Sequence, residues 1–222
     1  MSEGLTIAII GGAGKEGSGL ATRWGKAGHR VILGSRSEDR AQATATELNA
    51  GLPAPTISGA TNRDAVTRAD IAVLTVPYAA QVDSALDVAD LLKGKILIDV
   101  TAPLKPPKVG TVQLPDGGSA VAALQERLGP DIVVVAAFQN ISAQHLRDLD
   151  HEMDCDVLVS ADQAEAADRV IALVEDAGMR GWHAGPLANS AAAEALTSVL
   201  ISLNRRYKAV GAGIRITGIG KR

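Results

Sequence analysis

Aromatic residues make up only 2% of this 222-residue chain: one Phe, two Trp and two Tyr. A core cannot be built around stacked rings, so Ala, Val, Leu and Ile must fill it, with Phe138, Trp24, Trp182, Tyr78 and Tyr207 as the only rings. Cysteine is nearly absent. Cys155 stands alone, which excludes an intrachain disulfide and suits a reducing compartment. An excess of positive charge is also missing: the net charge is −3, so nothing draws the chain generally to nucleic acid or to anionic membranes. No apolar run approaches the ~20 residues of a membrane span. His145, His151, His183 and Cys155 lack metal-ligand spacing, and no metal site is expected. With acidic Glu3 placed just before a strand, a cleaved signal peptide is not expected, and a soluble cytoplasmic protein is.

Hydrophobic residues nevertheless reach 46%, and they fall in short blocks. Leu5–Ile10, Arg30–Gly34, Ile71–Val76, Lys95–Val100, Ile132–Ala137 and Asp156–Ser160 read as strands. Most are continuous rather than alternating, as in parallel strands covered on both faces. Between them, residues 17–27, 38–49, 79–92, 119–128 and 164–177 suit helices, with Gly28, Gly94, Gly129 and Gly178 at their ends. This alternation predicts a doubly wound, mostly parallel α/β sheet of the Rossmann type. A smaller C-terminal α/β part ends in a long apolar helix, 189–207, that is buried or covered by a second subunit. The expected division is residues 1–140 for the sheet and 141–222 for the smaller part, with a docked tail from Ala209 to Gly220. Residues 101–119 form a long proline-rich loop on the carboxyl edge of the sheet, where ligands bind.

The first strand runs directly into a glycine turn. Gly12, Gly14 and Gly17 fit G-x-G-x-x-G, with Ala13, Lys15 and Glu16 between them. The first glycine allows a tight turn, the second lets backbone approach a pyrophosphate, and the third lets the helix pack on the strand. Amides near Lys15, Glu16 and Gly17 would face the phosphates. At the end of the second strand an NAD-binding protein usually carries Asp or Glu. Here Ser35 and Arg36 stand there, with Arg40 a turn later. A hydroxyl and a planar guanidinium fit the extra phosphate of NADP.

With both turns in view the sequence resembles the NADPH-dependent coenzyme F-420 reductases (F-420:NADP oxidoreductases). Carrying the resemblance are Ile10–Gly17, Ala27–Val31, Gly34–Arg36, Asp70–Pro77 and Ala184–Ser190, in that order in so short a chain. It implies reversible hydride transfer between NADP(H) and the deazaflavin of coenzyme F-420. It places the NADP phosphates on Gly12 to Gly17, the 2′-phosphate on Ser35, Arg36 and Arg40, and Thr75, Val76 and Pro77 on the nicotinamide side. The deazaflavin is expected against Phe138, Gln139, Asn140, Ile141 and Pro77, with Leu187 to Ser190 nearby, Leu187 and Asn189 foremost, and the C-terminal part closing the cleft. Some relatives carry histidine at the position of Gln139; a glutamine hydrogen-bonds but is no acid of matched pKa. No general acid or base is therefore named, since the two ring cofactors carry the chemistry and the protein positions them. A homodimer through the last helix is expected. Two alternatives keep the NADPH site: reduction of a small imine or keto acid, and a non-catalytic NADP-sensing module.

Overall fold

The computed structural model describes residues 4–219; Glu3 and Gly220 lie outside them. The chain opens β1 (Thr6–Ile10), α1 (Lys15–Lys26), β2 (Arg30–Ser35), α2 (Glu38–Asn49), β3 (Ile57–Thr61), α3 (Asn62–Thr67) and β4 (Ile71–Leu74). It continues α4 (Gln81–Leu86), β5 (Ile96–Asp99), α5 (Ala120–Leu128), β6 (Val133–Ala136) and α6 (Ala143–Leu146). Last come β7 (Asp156–Val159), α7 (Ala164–Asp176), β8 (Arg180–His183) and α8 (Ser190–Tyr207).

β1 to β6 form one six-stranded sheet in the order β3-β2-β1-β4-β5-β6, every pair parallel. Order reverses at β1, which creates a crevice beyond the carboxyl ends of β1 and β4. Successive residues of a strand point to opposite faces. Ile7 and Ile9 of β1 accordingly join Leu20, Trp24 and Leu33 in the core under α1, α2 and α7. Ala8 and Ile10 join Val66, Leu74, Leu97 and Leu124 under α3 to α5. Two greasy faces explain why the strands read as unbroken apolar runs.

β7 and β8 make a second, two-stranded parallel sheet joined by α7. An antiparallel bridge, Ala136 to Ser160, ties it to the edge of the main sheet. Beyond α8 the tail lies along β7, where Asp156 N donates to Ile214 O at 2.8 Å and Ile216 N to Asp156 Oδ2 at 2.7 Å. α1 is fastened to the C-terminal part from beneath. The buried Arg23 guanidinium donates to five carbonyls, those of Leu146, Ala177, His145, Asp148 and His151, at 2.9–3.2 Å. Trp24 Nε1 donates to Leu173 O at 2.8 Å. His29, buried, accepts from Leu5 N on Nδ1 and meets Asp176 through Nε2 at 3.0 Å.

Residues 79–92, read as one helix, are instead a 3₁₀ turn (Tyr78–Ala80), α4 and a second 3₁₀ turn (Ala89–Leu91). Tight bonds such as Leu91 N to Val88 O, 2.9 Å, swing the chain down toward β5. β3, α3 and β8 come in addition to the elements that the sequence predicts.

Candidate active site

Everything about the first turn follows from the glycines. Gly12 N donates to Ile9 O and Gly34 O at 3.1 and 3.0 Å, closing the bend. A Cβ on Gly17 would lie 2.6 Å from Thr75 Oγ1 and 2.7 Å from Gly12 Cα, so α1 rests directly on the strand end. A Cβ on Gly14 would meet only Gly11 O, at 3.5 Å, and otherwise point outward into open space. α1 starts at Gly14 without a side-chain cap. Its first amides are therefore left facing that space, the arrangement that binds a phosphate. Bare backbone, an uncapped helix start and room outside Gly14 fit a dinucleotide diphosphate. Ala13 is half-buried and Lys15 exposed in the same turn.

Beside the turn, at the end of β2, Ser35 Oγ accepts from Ser37 N at 3.2 Å. Ser37 Oγ accepts from Arg40 N at 3.4 Å and caps α2. The side chains of Arg36 and Arg40 are exposed and make no ion pair among the described residues. On the other side of the crevice, Thr75 Oγ1 donates to Ile10 O at 3.0 Å, Val76 packs over Gly11, and Pro77 is exposed. The fold thus gathers the residues expected at the two halves of a dinucleotide onto one edge.

Gly17→Ala is expected to lower stability by about 1–3 kcal/mol, the range for forcing extra volume into a packed contact. Thermal melts would show it, and weaker NADPH binding in titrations would accompany it because the turn must open.

Farther along the edge lies a buried polar group that sequence reading did not assemble. Asp99, at the end of β5, is fully buried. Its carboxylate accepts from Thr101 N at 2.8 Å and from Gln81 Nε2 at 2.5 Å. Burial pushes its pKa up to about 6, assisted by the charge of Glu194 and opposed by the bonds from Thr101 and Gln81. Burial, with the charge of Asp99 second, pushes Glu16 to about 8. Glu194 of α8 caps α5: it accepts from Ala120 N, Ser119 Oγ and Ser190 Oγ at 2.7–3.0 Å and from Val121 N at 3.3 Å. Asn62, also unforeseen, accepts from Gly11 N at 3.4 Å. It begins α3 after the unrecognised β3, so no local pattern marked it.

The residues expected at the deazaflavin wall lie in different surroundings. Phe138 is 0% exposed, and its ring stands edge-on to Trp24 at 5.9 Å between centroids. Its left-handed backbone, φ 72°, turns the ring into the core instead of the crevice. Leu187 and Ile141 are buried in the two cores as well. Asn189 is exposed, with Nδ2 donating to Ala184 O at 2.7 Å. Gln139 and Asn140 donate to Asp99 O and Asp156 O, both at 2.7 Å. Gln139 Oε1, Asn140 Oδ1 and Thr101 Oγ1 are buried without a partner. No cluster of three His, Cys, Asp or Glu able to hold a metal exists among the described residues. No described helix is long and apolar enough to cross a membrane.

Residues 6–103, the half that carries the glycine turn, match the family described as NADP oxidoreductase coenzyme F420-dependent. The F420-dependent NADP reductase of Methanothermobacter thermautotrophicus is 38% identical, over 97% of this chain and 96% of its own length. This chain belongs to the F420-dependent NADP reductase family. A second member, from Methanocaldococcus jannaschii, is 37% identical over 97% of this chain and 99% of its own. The fold is shared with the crystal structure of a putative F420-dependent NADP reductase from Arthrobacter, with a TM-score of 0.80. That match is 24% identical and covers 96% of this chain and all of the other. In this F420-dependent reductase the exposed Arg36 and the open start of α1 fall within the matched residues.

Proposed function

We propose that this protein transfers a hydride reversibly between NADP(H) and coenzyme F-420. Near-full-length similarity to F420-dependent NADP reductases carries the proposal, and the exposed Arg36 beside an uncapped glycine turn supports it. The nicotinamide and the deazaflavin supply the redox chemistry when bound. The protein's part is orientation. Amides of residues 15–17 would hold the diphosphate, and Ser35, Arg36 and Arg40 the 2′-phosphate. Gly12, Ala13 and Gly14 would form the turn's floor, with Thr75, Val76 and Pro77 along the nicotinamide side. The unpartnered oxygens of Gln139 and Asn140 would accept from ring N–H groups of the deazaflavin. Phe138, Ile141 and Leu187 would brace that pocket from behind, and Asn189 would stand at its rim.

We also place the functional division at residues 1–140 and 141–222, the second part closing the deazaflavin cleft. The protein would act in the cytoplasm as a homodimer. Supporting the dimer, Val199, Leu203 and Tyr207 leave 43%, 40% and 71% of their surface exposed along α8. Sedimentation as a monomer at micromolar concentration would count against it.

Mixing the protein with NADPH and oxidised F-420 tests the function. Loss of the deazaflavin's visible absorbance, matched by NADPH oxidation, is expected. NADPH oxidation only with an imine or keto acid, or tight NADPH binding with no oxidation, would overturn it.

A further inference from the structure

We propose that the C-terminal tail, residues 209–216, is a positioning element of the deazaflavin site: seated on Asp156, it fixes the hydrogen-bond acceptor that Asn140 offers. This rests on the proposal that Asn140 faces the deazaflavin.

The tail carries two glycines one residue apart, Gly211 and Gly213, which the dinucleotide site does not use. They are there for closeness. A Cβ on Gly213 would fall on Cys155 Cβ, and one on Gly211 would lie 2.6 Å from His145 Cδ2. Only a residue without a side chain lets the backbone run so near its neighbours. Between them Ala212 is half-buried, as are Ile214 and Ile216 farther on, which is the two-residue period of an extended segment.

Hydrogen bonds complete the seat. Ala212 N donates to Asn204 Oδ1 and Asp156 N to Ile214 O, both at 2.8 Å. Ile216 N and Trp182 Nε1 donate to the same oxygen of Asp156, Oδ2, at 2.7 and 2.8 Å. The other oxygen faces Arg215 Nε at 3.7 Å. Asp156 is only 1% exposed, so its carboxylate depends on these partners in place of water. Two of the three come from the tail.

Asp156 holds Asn140 by its other end. Asn140 Nδ2 donates to Asp156 O at 2.7 Å. An amide donates from its nitrogen and accepts at its oxygen. With Nδ2 committed, Oδ1 is left over, buried and without a partner. A ligand N–H satisfies that oxygen; a ligand acceptor does not. Lifting the tail would strip the Asp156 amide and carboxylate of their partners at the very start of β7, and the carbonyl that orients Asn140 would lose its fixed place. A seated tail holds the acceptor ready, so its ordering is not charged to binding.

Such coupling is reciprocal: the factor by which the seated tail strengthens deazaflavin binding is the factor by which deazaflavin strengthens seating. Cys155, the only cysteine of the chain, reports the seat because Gly213 lies on it.

Gly213→Val forces a side chain onto Cys155 and should lift the tail; a chain ending at Ala209 lacks it. In both, the KM for F-420 should rise about three- to tenfold, the range of one hydrogen bond between neutral groups. Both kcat and the Kd for NADPH should stay within about twofold of native, because the glycine turn shares no partner with the tail. Retained NADPH binding also shows that each variant is folded. Asp156→Ala should raise the KM alike. Asp156→Asn keeps an oxygen for the two N–H groups at Oδ2 and should restore most of the affinity. A thiol reagent should label Cys155 slowly in the native protein, and saturating F-420 should slow it by about the same three- to tenfold. In G213V labelling should be fast and indifferent to F-420. An unchanged KM in the chain ending at Ala209 or in D156A would overturn the proposal. So would slow labelling in G213V, slowing by F-420 equal in G213V and native protein, or a loss in D156N as large as in D156A. Native protein that fails to reduce F-420 with NADPH would overturn the function proposal, and this role with it.

Discussion

Replacing Arg23 by alanine is expected to lower the unfolding free energy by about 3–5 kcal/mol, the sum of a few buried carbonyls left without a donor at about 1–3 kcal/mol each. The melting temperature should fall by about 6–20 °C, at 2–4 °C per kcal/mol for a chain this long. Five backbone carbonyls lose their donor at once, and each buried unpaired group costs about 1–3 kcal/mol unless water reaches it. Arg23→Lys should recover only part, since an ammonium has three donors and no planar fork. Thermal and urea unfolding of both variants measure the difference. A melting temperature within 2 °C of native, roughly a 1 kcal/mol effect, would mean that the five bonds do not join the two parts of the chain.

Arg36→Ala is expected to weaken NADP(H) binding by about 10- to 150-fold, the equivalent of one charge-assisted hydrogen bond worth about 1.5–3 kcal/mol. NAD(H) binding should change little, because only the 2′-phosphate distinguishes the two. The exposed guanidinium loses no protein partner when removed, so the fold should be unaffected. Fluorescence titrations with both dinucleotides separate the outcomes: equal losses for the two would remove Arg36 from phosphate recognition. Adding Arg40→Ala should deepen the NADP(H) loss, although its backbone amide, which Ser37 caps, stays in place.

Sequence made the dinucleotide half of the molecule legible because its signals are local. β1, the bend and α1 are consecutive, and three glycines within six residues have few other uses. The Ser35–Arg36 substitution for an acid is likewise read from one position. β3 escaped notice because its packing removes the usual marks. A Cβ on Gly59 would fall on the backbone of Gln42 in α2, so a small residue replaces the β-branched one expected in a strand. β8 is similar, with Gly181 against Ile171 of α7. The deazaflavin side is less legible, since residues that meet there in the fold are distant in sequence. Phe138 looked like a ligand wall from its place after a strand. Only its left-handed backbone and its contact with Trp24, far earlier in the chain, turn it inward. Gln81 and Asp99, or Glu194 and the start of α5, carry no pattern until the fold brings them together.

Three bonds to Glu194, from Ser119 Oγ, Ala120 N and Val121 N, pin the beginning of α8 to the beginning of α5, while Arg23 pins the other flank of the C-terminal part to α1. Fastened along two margins, this part is held to the sheet on both flanks. The proline-rich stretch of residues 101–119 is strapped to α8 as well, where Ser202 Oγ donates to Gly110 O at 2.7 Å, so the longest loop of the carboxyl edge is moored at its middle.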